Sequence, residues 1–212
     1  MDFSVIADIL VNKSKNQYSM ISLPKTTVNN IPVGHEVITL GAGCFWCIEA
    51  VFQKLKGISG ILPGYSGGHI AEPSYQDVTT GTTGHAEVIQ LFYNPKEIAF
   101  QDILEVFWAT HDPTTLNRQG ADIGPQYRSA IFYHNEEQRI IAEDFKQLVE
   151  KAQVYDSPIV TEITPFQNFY PAENMHINYF NNHENQPYCQ FVIRPKLDKV
   201  SRAFDNLSKD NR

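Results

Sequence analysis

The run Gly41-Ala42-Gly43-Cys44-Phe45-Trp46-Cys47-Ile48-Glu49 concentrates the residue types best able to do chemistry in this chain. Before it, HEVITLGAG is a β-rich stretch ending in small residues; after it, Ile48, Val51, Phe52 and Leu55 recur at helical spacing. A strand therefore runs into a helix, with Cys44 at the junction. Glycines there permit close backbone approach, and the helix opens with free N–H groups and a partial positive end. A thiol in that place is expected to have a lowered pKa and to act as a nucleophile, against the alternative of a buried structural cysteine. Cys47 follows one helical turn later on the same face, so its sulfur can approach that of Cys44. C-x-x-C alone also suits a thioredoxin-like oxidoreductase. A zinc site formed with Cys189 and a histidine such as His85 is weaker, because Cys189 stands alone where zinc sites normally show a second paired spacing.

Several polar residues could serve such a thiol. Glu87, in Gly84-His85-Ala86-Glu87 where a strand begins, is a candidate general acid, because a carboxyl group shielded beside aromatic rings stays protonated near neutrality. The plainer alternative is an exposed strand-end glutamate. Tyr75 in Pro-Ser-Tyr-Gln-Asp-Val and Tyr127 in Gly-Pro-Gln-Tyr-Arg-Ser fall in loops, where a phenol can turn its O–H into a site. Asp122 lies between Gly120 and Gly124, a setting in which aspartate ordinarily caps a turn.

The elements that must position these groups follow from periodicity. GISGILPGYSGG and AEVIQLFYNP read as strands. Phe100, Ile103, Leu104, Phe107 and Trp108 form one apolar helical face that stops before His111-Asp112-Pro113. RSAIFYH is a strand, Asn135 caps a helix with Gln138 in the capping-box position, and PIVTEITPF is the last strand. A short helix over AENMHINYF precedes an irregular C-terminal segment that carries Cys189. The order β-α-β-β-α-β-α-β predicts an α/β (α+β) two-layer sandwich, a split βαβ, ferredoxin-like mixed sheet with helices on one face. Residues 1–30 are polar and read as an extension; 31–212 form the catalytic domain.

Composition bounds the function. A chain of 212 residues with 42% hydrophobic content can bury the core of one domain. A net charge of −7 and a pI near 5.4 oppose nucleic-acid binding, which depends on basic groups displacing counterions. No apolar run approaches the roughly 20 residues of a membrane helix, and the start lacks a signal-peptide pattern, so the expectation is a cytoplasmic protein without a membrane. Three cysteines are too few for a disulfide scaffold and fit thiols kept for chemistry.

Taken in order, GCFWCIEAVF, GHAEV, FWATHDPT, RQGADIGPQYRS, FYPAENMHINYF and QPYC resemble the peptide methionine sulfoxide reductase A family from about Val33 to Cys189. The resemblance implies that family's two-layer sandwich and reduction of the S epimer of methionine sulfoxide, free or in proteins, as protein repair. It makes Cys44 the nucleophile, with Phe45 and Trp46 walling the pocket for the sulfoxide methyl group. Glu87, Tyr75 and Tyr127 would hydrogen-bond the sulfoxide oxygen, Glu87 as proton donor. Asp122 would contact the substrate backbone, and His176 and Tyr188 would line the site. Cys189 matches the resolving cysteine, which would form a disulfide with Cys44 that thioredoxin reduces, with no cofactor, in a monomer. Two departures stand out: Cys47 replaces a glycine of many members, and Pro-Tyr-Cys replaces the usual Gly-Tyr-Cys. Cys47 is thus the second candidate for resolving thiol, or a relay.

Overall fold

The computed structural model describes Ile31 and residues 33–209; the polar extension expected over 1–30 lies outside the described residues. Strand β1 (Glu36–Ala42) leads into helix α1 (Phe45–Phe52), then β2 (Ile58–Ser66), a short α2 (Tyr75–Thr79), β3 (Ala86–Tyr93) and α3 (Phe100–Thr110). A two-residue-per-strand hairpin, β4 (Arg118–Gln119) and β5 (Asp122–Ile123), and a 3-10 turn at Pro125–Tyr127 come before β6 (Ser129–Tyr133). Helix α4 (Glu136–Lys151), β7 (Glu162–Pro165), β8 (Tyr170–Pro171), α5 (Tyr179–Asn182) and α6 (Arg194–Ala203) complete the described chain.

The six-stranded sheet runs β7-β6-β1-β3-β2-β8. Its central strands β6-β1-β3-β2 pair antiparallel throughout, and α1 and α3 cross from β1 to β2 and from β3 to β6. That is the split βαβ arrangement expected from the element order. Strand β7, reached through α4, pairs parallel with β6 and makes the sheet mixed. Alternation along the strands sorts the core. Ile38, Leu40, Ile89, Leu91, Tyr93 and Ile131 face the helical layer. Ala86, Val88, Ala130 and Phe132 face the other way, where Phe166 and Phe169 of the irregular segment cover them. Every residue of β3 is buried, since both faces of that central strand are covered. On this alternation Glu87 falls on the helical face, in register with Tyr65 of β2. No helix among the described residues is long and apolar enough to cross a membrane.

Two expectations are corrected. The stretch around Tyr75, read as a loop, forms α2, capped reciprocally by Ser74 and Asp77. The C-terminal segment is irregular only to Gln186; the chain turns helical at Pro187, and Cys189–Ile193 makes a π turn that continues into α6, whose Leu197 and Val200 are buried. Only two apolar residues repeat on that highly charged helix, and Pro195 is accommodated in its first turn instead of breaking it.

Candidate active site

Strand β1 delivers the backbone to Gly43, whose φ of +86° belongs to the left-handed region. A Cβ there would also lie 2.7 Å from the Gln119 side chain, so only glycine lets β1 turn into α1 against the β4–β5 hairpin. Cys44 is the N-cap of α1, as its spacing predicts, but its side chain caps nothing. The first helical amide instead serves the acid: Phe45 N–H donates to Glu87 Oε2 at 3.0 Å. Cys47 sits one turn on, its N–H donating to the Cys44 carbonyl at 3.1 Å, and the two thiols influence each other's protonation.

The expected lowering of the Cys44 pKa is corrected. Burial pushes this thiol well up, and the Cys47 thiol and the Glu87 carboxyl beside it act in the same direction. The Cys47 thiol is instead lowered to about 7, chiefly because the Cys44 thiol hydrogen-bonds to it, against the opposing effect of burial. Of the pair, Cys44 therefore holds its proton near neutrality and Cys47 is the more readily ionised thiol.

Glu87 is 1% exposed, and burial pushes its carboxyl up to about 8 in spite of the Phe45 bond. It is therefore protonated at neutral pH, the state the sequence reading expects of a general acid. Tyr75 and Tyr127, both half-buried, flank this acid and Cys44. Burial, and then the neighbouring Glu87 charge, raise Tyr75 to about 12 and Tyr127 also upward, so both phenols keep their protons for donation. Tyr127 lies on the 3-10 turn and Tyr75 opens α2.

Aromatic rings complete one side. Trp46 stacks on Tyr179 at 3.7 Å between centroids, donates its N–H to His176 Nδ1 at 3.2 Å and meets Tyr188 edge-on. Phe45 has no exposed surface and packs behind, against Tyr65 and His176, so of the two expected wall residues only Trp46 has surface to offer. His176 also touches the Tyr75 ring. Asp122 does not cap a turn; its Oδ2 accepts from the Tyr188 hydroxyl at 2.9 Å, and that same Tyr188 oxygen lies 3.7 Å from Cys47 Sγ. Cys189, next in the chain, is wholly buried on the π turn against α1. The structure thus brings all the expected residues into one neighbourhood, Phe45 and Cys189 beneath its surface.

Sequence reasoning missed the supports. Glu173 receives the Tyr75 N–H at 2.7 Å and the Tyr65 hydroxyl at 3.0 Å, which ties α2 to β2. Buried Glu49 accepts the Asn178 N–H at 2.8 Å and so holds the left-handed residue before Tyr179. Arg128 donates to the Gly84 carbonyl at 3.1 Å, the Pro125 carbonyl at 3.0 Å and Glu162 at 3.1 Å, joining the start of β3 to the Tyr127 turn and to β7. The only signal for Arg128 lay in QYRS itself. His85, weighed as a zinc ligand, spends both ring nitrogens on the 67–70 loop: Nδ1 accepts from Gly68 N–H at 3.1 Å and Nε2 bonds the Ile70 carbonyl at 2.7 Å. Among the described residues no group of three or more His, Cys, Asp or Glu is placed to hold a metal ion.

A thiol pair at a helix start, a protonated carboxyl bonded to the adjoining amide and a ring of phenols define a cysteine-based redox site on a split βαβ sheet. The model of one family, described as peptide methionine sulfoxide reductase, matches residues 36–208, and the chain belongs to that family. It is 52% identical over 174 residues to the peptide methionine sulfoxide reductase MsrA of Saccharolobus solfataricus, covering 82% of this chain and 97% of that one. Among solved structures it is similar to reduced Mxr1 from Saccharomyces cerevisiae, with a TM-score of 0.70 and 33% identity over 81% of this chain and 97% of that one. A second structure of Mxr1, in complex with Trx2, matches with a TM-score of 0.50 and 25% identity over 72% of this chain and 90% of that one.

Proposed function

We propose that this protein reduces methionine S-sulfoxide, free and in peptides, to methionine by attack of Cys44 on the oxidised sulfur. Reduction of methionine sulfoxide is the reaction its family is named for, and it serves repair of oxidised proteins. The observation that carries the assignment of roles is Glu87: a buried, protonated carboxyl anchored to the amide of the residue after Cys44. A sulfoxide oxygen is a poor leaving group until it is protonated or strongly hydrogen-bonded, and Glu87 with the phenols of Tyr75 and Tyr127 supplies that polarisation.

The thiol pair supplies the nucleophile. Burial holds the proton on Cys44, and the more readily ionised Cys47 thiol one turn on gives that proton a destination as the Cys44 sulfur attacks. Trp46, backed by Phe45, borders the space for the sulfoxide methyl group, with His176 and Tyr188 lining it. Asp122 faces the substrate backbone while it holds Tyr188. Transfer of oxygen releases methionine and leaves a sulfenic acid on Cys44. The chain carries two further thiols, Cys47 and Cys189, to discharge it as a disulfide. The external reductant is a dithiol protein of the thioredoxin class, as the complex of the related Mxr1 with Trx2 supports. The protein works as a monomer in the cytoplasm, where a reducing environment keeps its three cysteines free.

Separate assays with the pure S and R sulfoxides and a dithiol reductant test the substrate. The S epimer is expected to be converted to methionine and the R epimer left intact. Consumption of R at a comparable rate, or of neither, would refute the assignment.

A further inference from the structure

Of the three methionines in the chain, Met175 is the one that falls among the described residues, and its side chain is 70% exposed. It occupies the middle of the 3-10 turn Asn174–His176, at the rim of the candidate site. The turn is pinned there from both sides. Glu173 accepts the Tyr75 N–H at 2.7 Å, and buried His176 accepts the Trp46 indole N–H at 3.2 Å and packs against the Tyr75 ring. His176 turns inward while its neighbour Met175 turns out to solvent. An open thioether is thus displayed beside a site that reduces oxidised thioethers. We propose that Met175 is a modification site: hydrogen peroxide oxidises it to the sulfoxide, and a second copy of this protein reduces the S epimer back to the thioether. This rests on the reading of Cys44 as the nucleophile that reduces methionine sulfoxide.

The steps balance. The Met175 sulfur attacks one oxygen of hydrogen peroxide; an S–O bond forms, the O–O bond breaks, and the departing hydroxide takes the proton of the new S–OH group and leaves as water. Cys44 of the second copy attacks the oxidised sulfur; the sulfoxide S–O bond breaks, the oxygen ends on Cys44 as a sulfenic acid, and Met175 is a thioether again. A further thiol of that copy condenses with the sulfenic acid, forming a disulfide and releasing water. An external dithiol reduces that disulfide and is itself oxidised to a disulfide. The cycle turns one peroxide and one dithiol into two waters and one disulfide, with both protein copies restored.

Geometry assigns the repair to another molecule. To present its sulfoxide to its own Cys44, the Met175 side chain would have to turn inward where His176 lies, releasing the Trp46 and Tyr75 contacts that form the pocket. A rim position serves a second copy instead. Two molecules meeting mouth to mouth about a two-fold axis make reciprocal contacts, so each Met175 is offered to the other's pocket. Ile123, 68% exposed next to Asp122, adds apolar surface to the same rim. The net charge of −7 on each chain opposes a lasting pair, so the encounter is transient and the protein stays a monomer between turnovers.

Full-length Cys44→Ser, which lacks the nucleophile, serves as the substrate: it is treated with hydrogen peroxide, freed of it, and mixed with dithiothreitol and a catalytic amount of Met175→Leu as the active copy. Free methionine S-sulfoxide is added as an internal standard, and the peptide bearing Met175 is followed by mass spectrometry. Peroxide should oxidise Met175, and the active copy should return about half of its sulfoxide, the S share, because each epimer has its own enzyme. A Met175 that resists peroxide under conditions that oxidise free methionine would overturn the proposal. So would a Met175 sulfoxide that persists while the free sulfoxide is consumed. Persistence of both would sink the reductase reading itself, and the proposal with it. In mildly oxidised wild-type protein with dithiothreitol, a tenfold dilution should slow the recovery of Met175 about tenfold, as mass action requires when two molecules must meet. A rate unaffected by dilution would place the reduction within one molecule and overturn the role of the second copy.

Discussion

The proton inventory of two side chains decides what this site can do. Cys44 and Glu87 are both buried and both hold protons near neutrality, while Cys47 is the more readily ionised thiol. With its carboxyl near 8, Glu87 loses the proton it must donate as pH rises, so kcat/KM should fall on the alkaline side with an apparent pKa near 8. Glu87→Gln keeps an acceptor for the Phe45 N–H but has no acidic proton. Its rate should drop about 100-fold and that alkaline limb should vanish. The same shift is linked to stability. A carboxyl whose folded pKa lies above its unfolded value of about 4.3 favours folding only while protonated. That contribution is complete below the unfolded value and is lost as pH rises through about 8. Thermal unfolding of Glu87→Gln should therefore gain on the wild type from about pH 4.5 to 8 and then level off; an unchanged rate profile or a constant stability gap would remove Glu87 as the proton donor.

Between elements, Arg128 does what no single strand or helix can. It fixes the start of β3, which carries Glu87, relative to the turn that carries Tyr127, and it is 9% exposed. Arg128→Met should cost about 1–3 kcal/mol by chemical denaturation, because carbonyls of Gly84 and Pro125 lose a charged donor. It should also lower kcat more than it raises KM, since the acid and one phenol lose their mutual placement; loss of stability with unaltered kinetics would make Arg128 a structural tie only. The elements it joins were legible in the sequence to different degrees. Helix α3 and strand β3 declared themselves, one by a face of five apolar residues, the other by an apolar run interrupted only by Glu87 and Gln90. Helix α4 begins at Asn135 as expected, its side chain accepting the Gln138 N–H at 2.8 Å, but Gln138 returns its bond to His134 instead of Asn135. Five-residue α2 is too short to show a period, and its Ser74–Asp77 box spans what otherwise reads as loop composition.

Across the whole molecule, local pattern carried the fold and left the electrostatics open. Sheet order followed from the alternation of strands and crossing helices, since split βαβ connections leave few alternatives. Cys44 was placed correctly because glycines, a strand end and a helical period all meet there. Where its proton resides was not legible, because the answer depends on how deeply the fold buries Cys44, on Cys47 beside it and on Glu87, brought in from 42 residues away. Arg128 and Glu173 escaped notice for the same reason: their partners are remote in sequence, and neither residue type announces a tie. The C-terminal π turn and α6 offer only a faint apolar stripe, yet they hold Cys189 against α1 and so bring the third thiol into the molecule's redox account.

Single-turnover release of methionine tests most directly the claim that the Cys44 sulfur receives the oxygen. Reduced wild-type protein mixed with one equivalent of methionine S-sulfoxide and no reductant should release one methionine per molecule in a burst, and Cys44→Ser should release none. A burst of equal size and rate from Cys44→Ser would contradict the account.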